Sequence, residues 1–282
     1  MFNKIFQFCS FFCIFLFLNL TNIKAKEYSI LNPLPKDKMR SMTTARPSKS
    51  DYSYTIDSGH FQIETSFYSF DKTKTTDSKT TNKSLLNSTA LRIGLTQSLE
   101  AEIIATPIIW RKQQDHLNQT SDNVKGFSDT TLRLKYNFFG NDSGNFSIAA
   151  IPFIKIPTNS NNLSNDHHEG GISLPMELAL ENGYSLTYNP QTLILKNSET
   201  QNYKAVFVNI IAIGKSLTNE LSGFVEYYHS QIAENNNYFQ QTLDFGLVYS
   251  LSENITIDSA INFGLSNHSA DIEMLFGGAY RF

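Results

Sequence analysis

Apolar and polar residues alternate with a period of two along most of this chain. The alternation is clearest in residues 128–139 (SDTTLRLKYNFF), 254–265 (NITIDSAINFGL) and 271–282 (DIEMLFGGAYRF). Side chains of a β-strand point to opposite faces in turn, so each of these segments has one apolar face and one polar face. The pattern predicts strands that are half in contact with an apolar environment.

The whole chain after its first 59 residues can be divided in this way, and it predicts twelve strands. They cover residues 60–70, 88–97, 99–111, 128–139, 145–157, 170–181, 184–189, 203–214, 220–232, 238–251, 254–265 and 271–282. The alternation is weak in the seventh and eighth strands. Pro152 predicts a bulge, since proline cannot donate to a strand ladder, and Asn182-Gly183 predicts a hairpin turn.

The connections between these strands show a length rhythm. Those after strands one, three, five and seven are long and polar, such as residues 71–83 and 112–127, whereas most of the others are short. This rhythm is typical of barrels with outer loops and periplasmic turns. We therefore predict an all-β fold, an antiparallel transmembrane β-barrel of about 12 strands with both termini in the periplasm. A soluble β-sandwich shares the period but gives no reason for the rhythm.

The first 25 residues have the form of a secretory signal peptide. Lys4 supplies a charged start, residues 5–20 are apolar and rich in Phe, and Ala25 suits a cleavage site. The alternative is an uncleaved anchor, but the apolar stretch is short for a spanning helix. The chain then divides into a signal peptide (1–25), an extended periplasmic segment (26–59) and an outer-membrane β-barrel (60–282).

Composition favours the envelope of a Gram-negative bacterium. Both cysteines, Cys9 and Cys13, lie in the predicted signal peptide, so the exported chain would have none. Aromatic residues make up 13% of the chain although its mean hydropathy is only -0.27, as expected where apolar residues face lipid on alternate positions. The net charge of -3 gives no basic excess that would favour nucleic acid as a partner.

The chain ends on an aromatic residue in an alternating strand. Tyr280 and Phe282 lie on its apolar face and resemble the C-terminal signal of outer-membrane barrels. We expect the barrel-assembly machinery to read this signal, and outer-membrane lipids to surround the folded chain.

Two segments carry a resemblance to a known family. Residues 44–64 read TARPSKSDYSYTIDSGHFQIE, and residues 126–158 read GFSDTTLRLKYNFFGNDSGNFSIAAIPFIKIPT. They resemble the bacterial outer-membrane β-barrel family of meta-pathway phenol-degradation or transporter-like proteins. Ala45 departs from the acidic residue expected before Arg46. The resemblance implies a channel or transporter for small molecules, including aromatic or hydrophobic ones, with the solute unidentified.

The polar faces of the strands predict the lining of the lumen. Basic candidates come from strands two, four and five and acidic candidates from strands nine to twelve and one, on opposite walls of a closed ring. They are Arg92, Arg133, Lys135 and Lys155, and Glu64, Glu226, Asp244, Asp258 and Glu273. One hypothesis is a pore with a transverse field that orients dipolar solutes, although Glu100, Glu102 and Glu177 flank the basic wall. The alternative is a lumen closed by pairing among these charges, with a structural or surface-binding role.

Other candidate sites are weaker. His268-Ser269 has the residue types of an outer-membrane phospholipase, but neighbouring residues of a strand point to opposite faces. The stretch Asp166-His167-His168-Glu169 has metal-ligand residue types without a second cluster. A receptor or adhesion surface on the long loops is a third class, without a specific signal. We therefore expect no catalytic residue, no metal and no cofactor.

Overall fold

The structure, a computed structural model, describes residues 28–74, 79–159, 161, 163, 166–197, 202–233 and 235–282, except for the side chains of 235–237. The predicted signal peptide lies outside the described residues, so its cleavage stays a prediction. Among the residues that are described, no helix has the length and apolarity needed to cross a membrane.

The described residues form one antiparallel sheet of fifteen strands and two short 3-10 turns at Lys36–Lys38 and Glu181–Gly183. The strands are β1 (Phe61–Lys74), β2 (Lys79–Gly94), β3 (Leu99–Ala105), β4 (Ile108–Asp115), β5 (Thr120–Gly126), β6 (Thr130–Phe139), β7 (Phe146–Ile156), β8 (Glu169–Ser173), β9 (Met176–Ala179), β10 (Tyr184–Lys196), β11 (Tyr203–Ser216), β12 (Leu221–Ile232), β13 (Asn235–Ser252), β14 (Ile255–Gly264) and β15 (Ile272–Arg281).

The sheet closes on itself, because β1 pairs with both β2 and β15. Gln62 lies opposite Arg281 on one side and opposite Arg92 on the other. Three pairs of strands, β3 with β4, β5 with β6, and β8 with β9, each form one spanning strand in two pieces. The closed sheet therefore has twelve spanning strands, which confirms the predicted number and the predicted fold class.

Two of the three strand interruptions contain a proline. Pro107 separates β3 from β4, and Pro175 separates β8 from β9, as expected since proline removes a ladder hydrogen bond. The break at Pro175 also explains why β10 tolerates Pro190. The Pro190 carbonyl accepts from Leu174 N–H at 3.0 Å, so the side of Pro190 that lacks an N–H faces this break.

Several predicted boundaries were wrong. The seventh strand does not fade near residue 189 but continues as β10 to Lys196, because Pro190 faces the break in its neighbour. Residues 71–83 and 112–127, predicted as loops, are mostly the hairpin extensions of β1–β2 and β4–β5. Such extensions above a membrane have no apolar side, so the alternation that marks a strand is missing there.

The turn and bulge predictions had opposite outcomes. Asn182 and Gly183 form the expected tight turn with φ of 57° and 74°, a conformation that these residue types tolerate. Pro152 makes no bulge, since β6 and β7 keep one register on both sides of it, and their shift lies between Asn137 and Phe139.

Burial is inverted relative to a soluble domain. Phe61, Ile103 and Phe276 expose 47–51% of their surface, whereas buried positions are largely polar. This distribution fits a wall with lipid outside and polar contacts inside, and it is the reverse of a β-sandwich core.

Candidate functional site

The interior of the barrel holds an extended piece of the chain that precedes β1. We call residues 40–57 the luminal segment, because its groups contact inward-facing side chains of β1, β3, β6, β9, β12 and β14. The domain boundaries of the sequence analysis stay predictions. The position of the luminal segment among the wall side chains is a feature that the sequence analysis did not anticipate.

Carboxylates of the wall hold the main chain of the luminal segment. The N–H groups of Lys49, Ser53 and Ile56 donate to Glu226 at 2.9 Å, Glu177 at 2.6 Å and Glu100 at 2.7 Å. A segment without a strand partner has main-chain donors that must be satisfied when buried, and a charged acceptor strengthens such bonds. The acidic residues of the lumen therefore bind backbone as well as cations.

The acidic wall also receives two cations from the luminal segment. Arg46 makes two contacts with Asp258, Nη2–Oδ1 at 2.8 Å and Nε–Oδ2 at 3.2 Å. Lys49 Nζ lies 2.6 Å from a carboxylate oxygen of Glu273 and 3.5 Å from one of Asp244. Because these three carboxylates come from three neighbouring strands, they form a continuous acidic surface that the two cations compensate.

The same segment places a carboxylate, that of Asp51, against the basic wall. Arg133 Nη2 lies 2.6 Å from Asp51 Oδ1, and Lys135 Nζ donates to the Tyr54 carbonyl at 3.1 Å. Burial by itself would raise the pKa of Asp51, but the nearby Arg133 guanidinium holds the pKa of that carboxyl below its usual value. The luminal segment is thus electrically matched to both walls.

The remaining basic candidates pair within the wall. Arg92 is 2% exposed and contacts Glu64 and Glu100, with a distance of 2.8 Å from its Nε to Glu100 Oε1. Lys155 lies nearer the loop end and pairs with Asp129 at 2.9 Å and Glu169 at 2.6 Å.

The nine predicted lumen residues lie on inward-facing positions, and seven of them contact the luminal segment, whereas Arg92 and Lys155 pair with other residues of the wall. Glu102, which the sequence analysis noted beside the basic wall, lies 3.4 Å from Arg133. The use of these residues as solute contacts stays a prediction.

A cavity of about 310 Å³ lies where the luminal segment enters the barrel. Asp57 lies in its lining, with Arg40 Nε 2.7 Å from Oδ1 and Arg281 Nη1 3.5 Å from Oδ2. Tyr54 of the segment and Gln62 of β1 also line the cavity. This end of the barrel therefore has a vestibule between the segment and the last strand, with the charged groups of Arg40, Asp57 and Arg281 in its lining.

The other sequence candidates are not brought together as sites. The Ser269 hydroxyl donates to the Gln241 carbonyl at 2.7 Å, and the His268 ring packs on Tyr238 at 4.2 Å between centroids. Within the described ranges no three His, Cys, Asp or Glu side chains gather as a metal site. Tyr280 and Phe282 face outward, each 45% exposed, and their role in assembly stays a prediction.

Sequence reasoning missed Arg46, Lys49 and Asp51. They belong to the RPSKSD stretch, which has no apolar alternation and therefore looked like a segment outside the barrel. The order of their charges is a signal that could have found them. Two cations are followed by an anion, and the predicted lumen has an acidic wall opposite a basic wall, so each charge has a wall of opposite sign.

The fold and the site define a class: a closed, outer-membrane-type β-barrel of twelve strands whose lumen contains an N-terminal segment. A family model described as "Putative MetA-pathway of phenol degradation" matches residues 44–282. The chain belongs to this family, and the match includes most of the luminal segment.

Solved structures show the same fold at low sequence identity. The COG4313 outer membrane channel from Pseudomonas putida F1 matches with a TM-score of 0.62 and 10% identity, over 85% of this chain and 100% of that one. The transport unit of the autotransporter AIDA-I from Escherichia coli matches with a TM-score of 0.55 and 10% identity, over 86% and 93%.

The beta domain of the Bordetella autotransporter BrkA matches with a TM-score of 0.52 and 10% identity, over 79% and 99%. A search of curated protein sequences returns no match.

Proposed function

We propose that this chain is an outer-membrane channel for small organic solutes, aromatic or hydrophobic ones included, and that passage requires displacement of the luminal segment. The observation that carries the proposal is that the luminal segment presents opposite charge to both walls of the barrel. Arg46 and Lys49 compensate one wall, and Asp51 compensates the other.

A segment held in this way can leave without unfolding the barrel. Its contacts are side-chain pairs and hydrogen bonds to single main-chain groups, and the twelve-strand ladder closes without it. Once it leaves, Asp244, Asp258 and Glu273 face Arg133 and Lys135 across the lumen. A field of this kind orients dipolar solutes.

Family membership supports the same role, since the family's description concerns phenol degradation and the TM-score of 0.62 is to a protein titled an outer membrane channel. We propose transport without chemistry, in the outer membrane of a Gram-negative bacterium, after export with a cleaved signal peptide. A permanently closed barrel with a structural or surface-binding role is the second candidate, and the pairing of Arg133 and Lys135 favours it.

Single-channel conductance in a planar bilayer distinguishes the two. We would compare the refolded chain from residue 26 with a variant whose segment is uncharged, Arg46→Gln/Lys49→Gln/Asp51→Asn. The control is Lys36→Gln/Lys38→Gln, at exposed positions ahead of the luminal segment. For a channel we expect brief openings in the parent and in the control, and long or larger openings in the variant. Silence of all three folded proteins would refute the channel and support the closed barrel.

A further inference from the structure

The described residues on the outer face of β1, β2, β4 and β5 carry charge of one sign. By strand alternation and register, Asp71, Asp115 and Asp122 of the hairpin strands lie on the inner face, the first opposite Lys83 and the second opposite Lys79. Lys72, Lys112 and Lys125 lie on the outer face. Among the described residues of β1, β2, β4 and β5, no carboxylate lies on that outer face.

Lys72, Lys112 and Lys125 are close neighbours on the outer face. One row of the sheet joins Lys72, Asn82, Lys112 and Asn123 on β1, β2, β4 and β5. Lys125 lies two residues from Asn123 and is therefore the diagonal neighbour of Lys112. Adjacent strands are about 4.8 Å apart, so Lys72 and Lys112 are about 10 Å apart across β2, and the Lys112–Lys125 diagonal is about 7–8 Å.

These ammonium groups have no anionic partner in the part of the chain that the structure describes. The exposed carboxylate of Asp271 lies beside Lys74 at the edge of the patch, and its Oδ2 accepts the main-chain N–H of Lys74 at 2.6 Å. Lys74 is therefore left out of the patch. On another side of the barrel the outward Lys196 stacks on the Tyr203 ring, so it is not equivalent to the three.

The patch lies at a fixed height relative to the apolar wall. Tyr68, Trp110 and Phe127 are outward aromatic residues with 45%, 56% and 50% exposure, and Trp110 lies directly opposite Lys125. Aromatic residues mark the boundary between hydrocarbon and headgroups in membrane barrels. Lys72 and Lys112 lie two residues beyond the row of Trp110, toward the long connections, at the height expected for lipid headgroups.

We infer that Lys72, Lys112 and Lys125, with the amides of Asn82 and Asn123, bind the phosphate groups of a phosphorylated glycolipid in the outer leaflet. The inference rests on the outer-membrane location and orientation given under the proposed function. Lysine is a compact cation suited to phosphate. Among the described residues of these strands, no outward carboxylate competes with phosphate for the ammonium groups. The aromatic row below receives the acyl chains, so that one lipid contacts both parts of this surface.

The test measures lipid binding and does not depend on conductance. The purified chain in nanodiscs is titrated with synthetic bisphosphorylated lipid A and with its dephosphorylated analogue, and bound lipid is counted by native mass spectrometry. The variant is Lys72→Gln/Lys112→Gln/Lys125→Gln. The matched control, Lys36→Gln/Lys38→Gln/Lys215→Gln, removes the same charge at the opposite end of the barrel.

Each lysine near an anionic membrane surface contributes a factor of about five in affinity. We therefore expect the phosphorylated lipid to bind at least about tenfold more weakly to the variant than to the parent or the control. The dephosphorylated analogue should bind all three proteins alike. Equal binding of the phosphorylated lipid by parent and variant would overturn the inference.

A further arm separates a lipid from free phosphate. Millimolar inorganic phosphate should leave the bound lipid in place, because the aromatic row holds only a ligand with acyl chains. Displacement of the lipid by inorganic phosphate would assign the patch to a soluble anion and overturn the lipid assignment. Heat-modifiable migration in gels verifies that each variant is folded. Because no arm uses conductance, loss of lipid selectivity and loss of channel activity are separate results.

Discussion

Arg46 and Asp258 form a two-point contact between the luminal segment and the wall of the barrel, with N–O distances of 2.8 and 3.2 Å. The two residues are 212 positions apart in the chain. The carboxylate of Asp258 has no exposed side-chain surface, and the Arg46 side chain is 13% exposed. Removal of one partner from a pair this well buried would leave an uncompensated buried charge.

Arg46→Gln should weaken docking of the segment. Removing one member of a buried charge pair typically costs about 2–5 kcal/mol, because the other charge stays buried. The readout is maleimide labelling of a cysteine at Ser50, a position that is 4% exposed, in the chain from residue 26. We expect labelling to accelerate by more than about tenfold. The double variant Arg46→Gln/Asp258→Asn should recover part of the loss, and additive effects would show that the pair is not coupled.

Gly94→Ala should displace the same segment by contact. A Cβ at Gly94 would lie 2.2 Å from the Asp57 carbonyl oxygen and 2.5 Å from that of Ile56, so the backbone of the segment must move. We expect faster labelling at Ser50 and longer openings in the bilayer. Gly214→Ala is the control, since the only close contact of its Cβ would be the Ser185 hydroxyl at 2.4 Å, which can rotate away without a backbone shift. Equal labelling of the two variants would contradict close docking at Gly94.

Acid should release the segment partly through Asp51. Its pKa is lower in the docked state than in solvent, so the Asp51–Arg133 pair favours docking fully above the ordinary carboxyl pKa of about 3.9. That contribution is lost as the pH falls through the lowered docked value. In Asp51→Asn this contribution is absent at every pH. The open fraction of the two proteins should therefore differ near neutral pH and converge in acid, and a constant difference down to the lowest pH would refute the role of Asp51.

Neutralising one wall at a time should change ion selectivity in opposite directions. Arg133→Gln removes a cation from the lumen and should shift the reversal potential in a salt gradient toward cation preference. Asp244→Asn removes an anion from the acidic wall and should shift it toward anion preference. Lys125→Gln, on the outer face, is the control and should leave the reversal potential unchanged. A shift of the same sign in both inward variants would contradict a lumen with two opposite walls.

The sequence by itself determined the barrel. Period-two alternation in segments such as residues 128–139 indicates a wall with lipid on one side and polar contacts on the other. This alternation can be read from neighbouring residues alone. The same alternation placed Arg92, Arg133, Glu226 and Asp258 on the inner face, since facing follows from position along a strand. Strand ends were less accurate where β4 and β5 rise above the apolar zone, because no apolar face exists there to mark them.

Only the tertiary structure decided what the inner charges contact. Arg46 meets Asp258 and Asp51 meets Arg133 because closure of the ring brings distant strands around one extended segment. The segment has no periodic face that would encode that position, and its main-chain N–H groups donate to carboxylates on strands scattered through the chain. Pairing across a closed ring is a non-local property, and for that reason the luminal segment emerged only from the folded molecule.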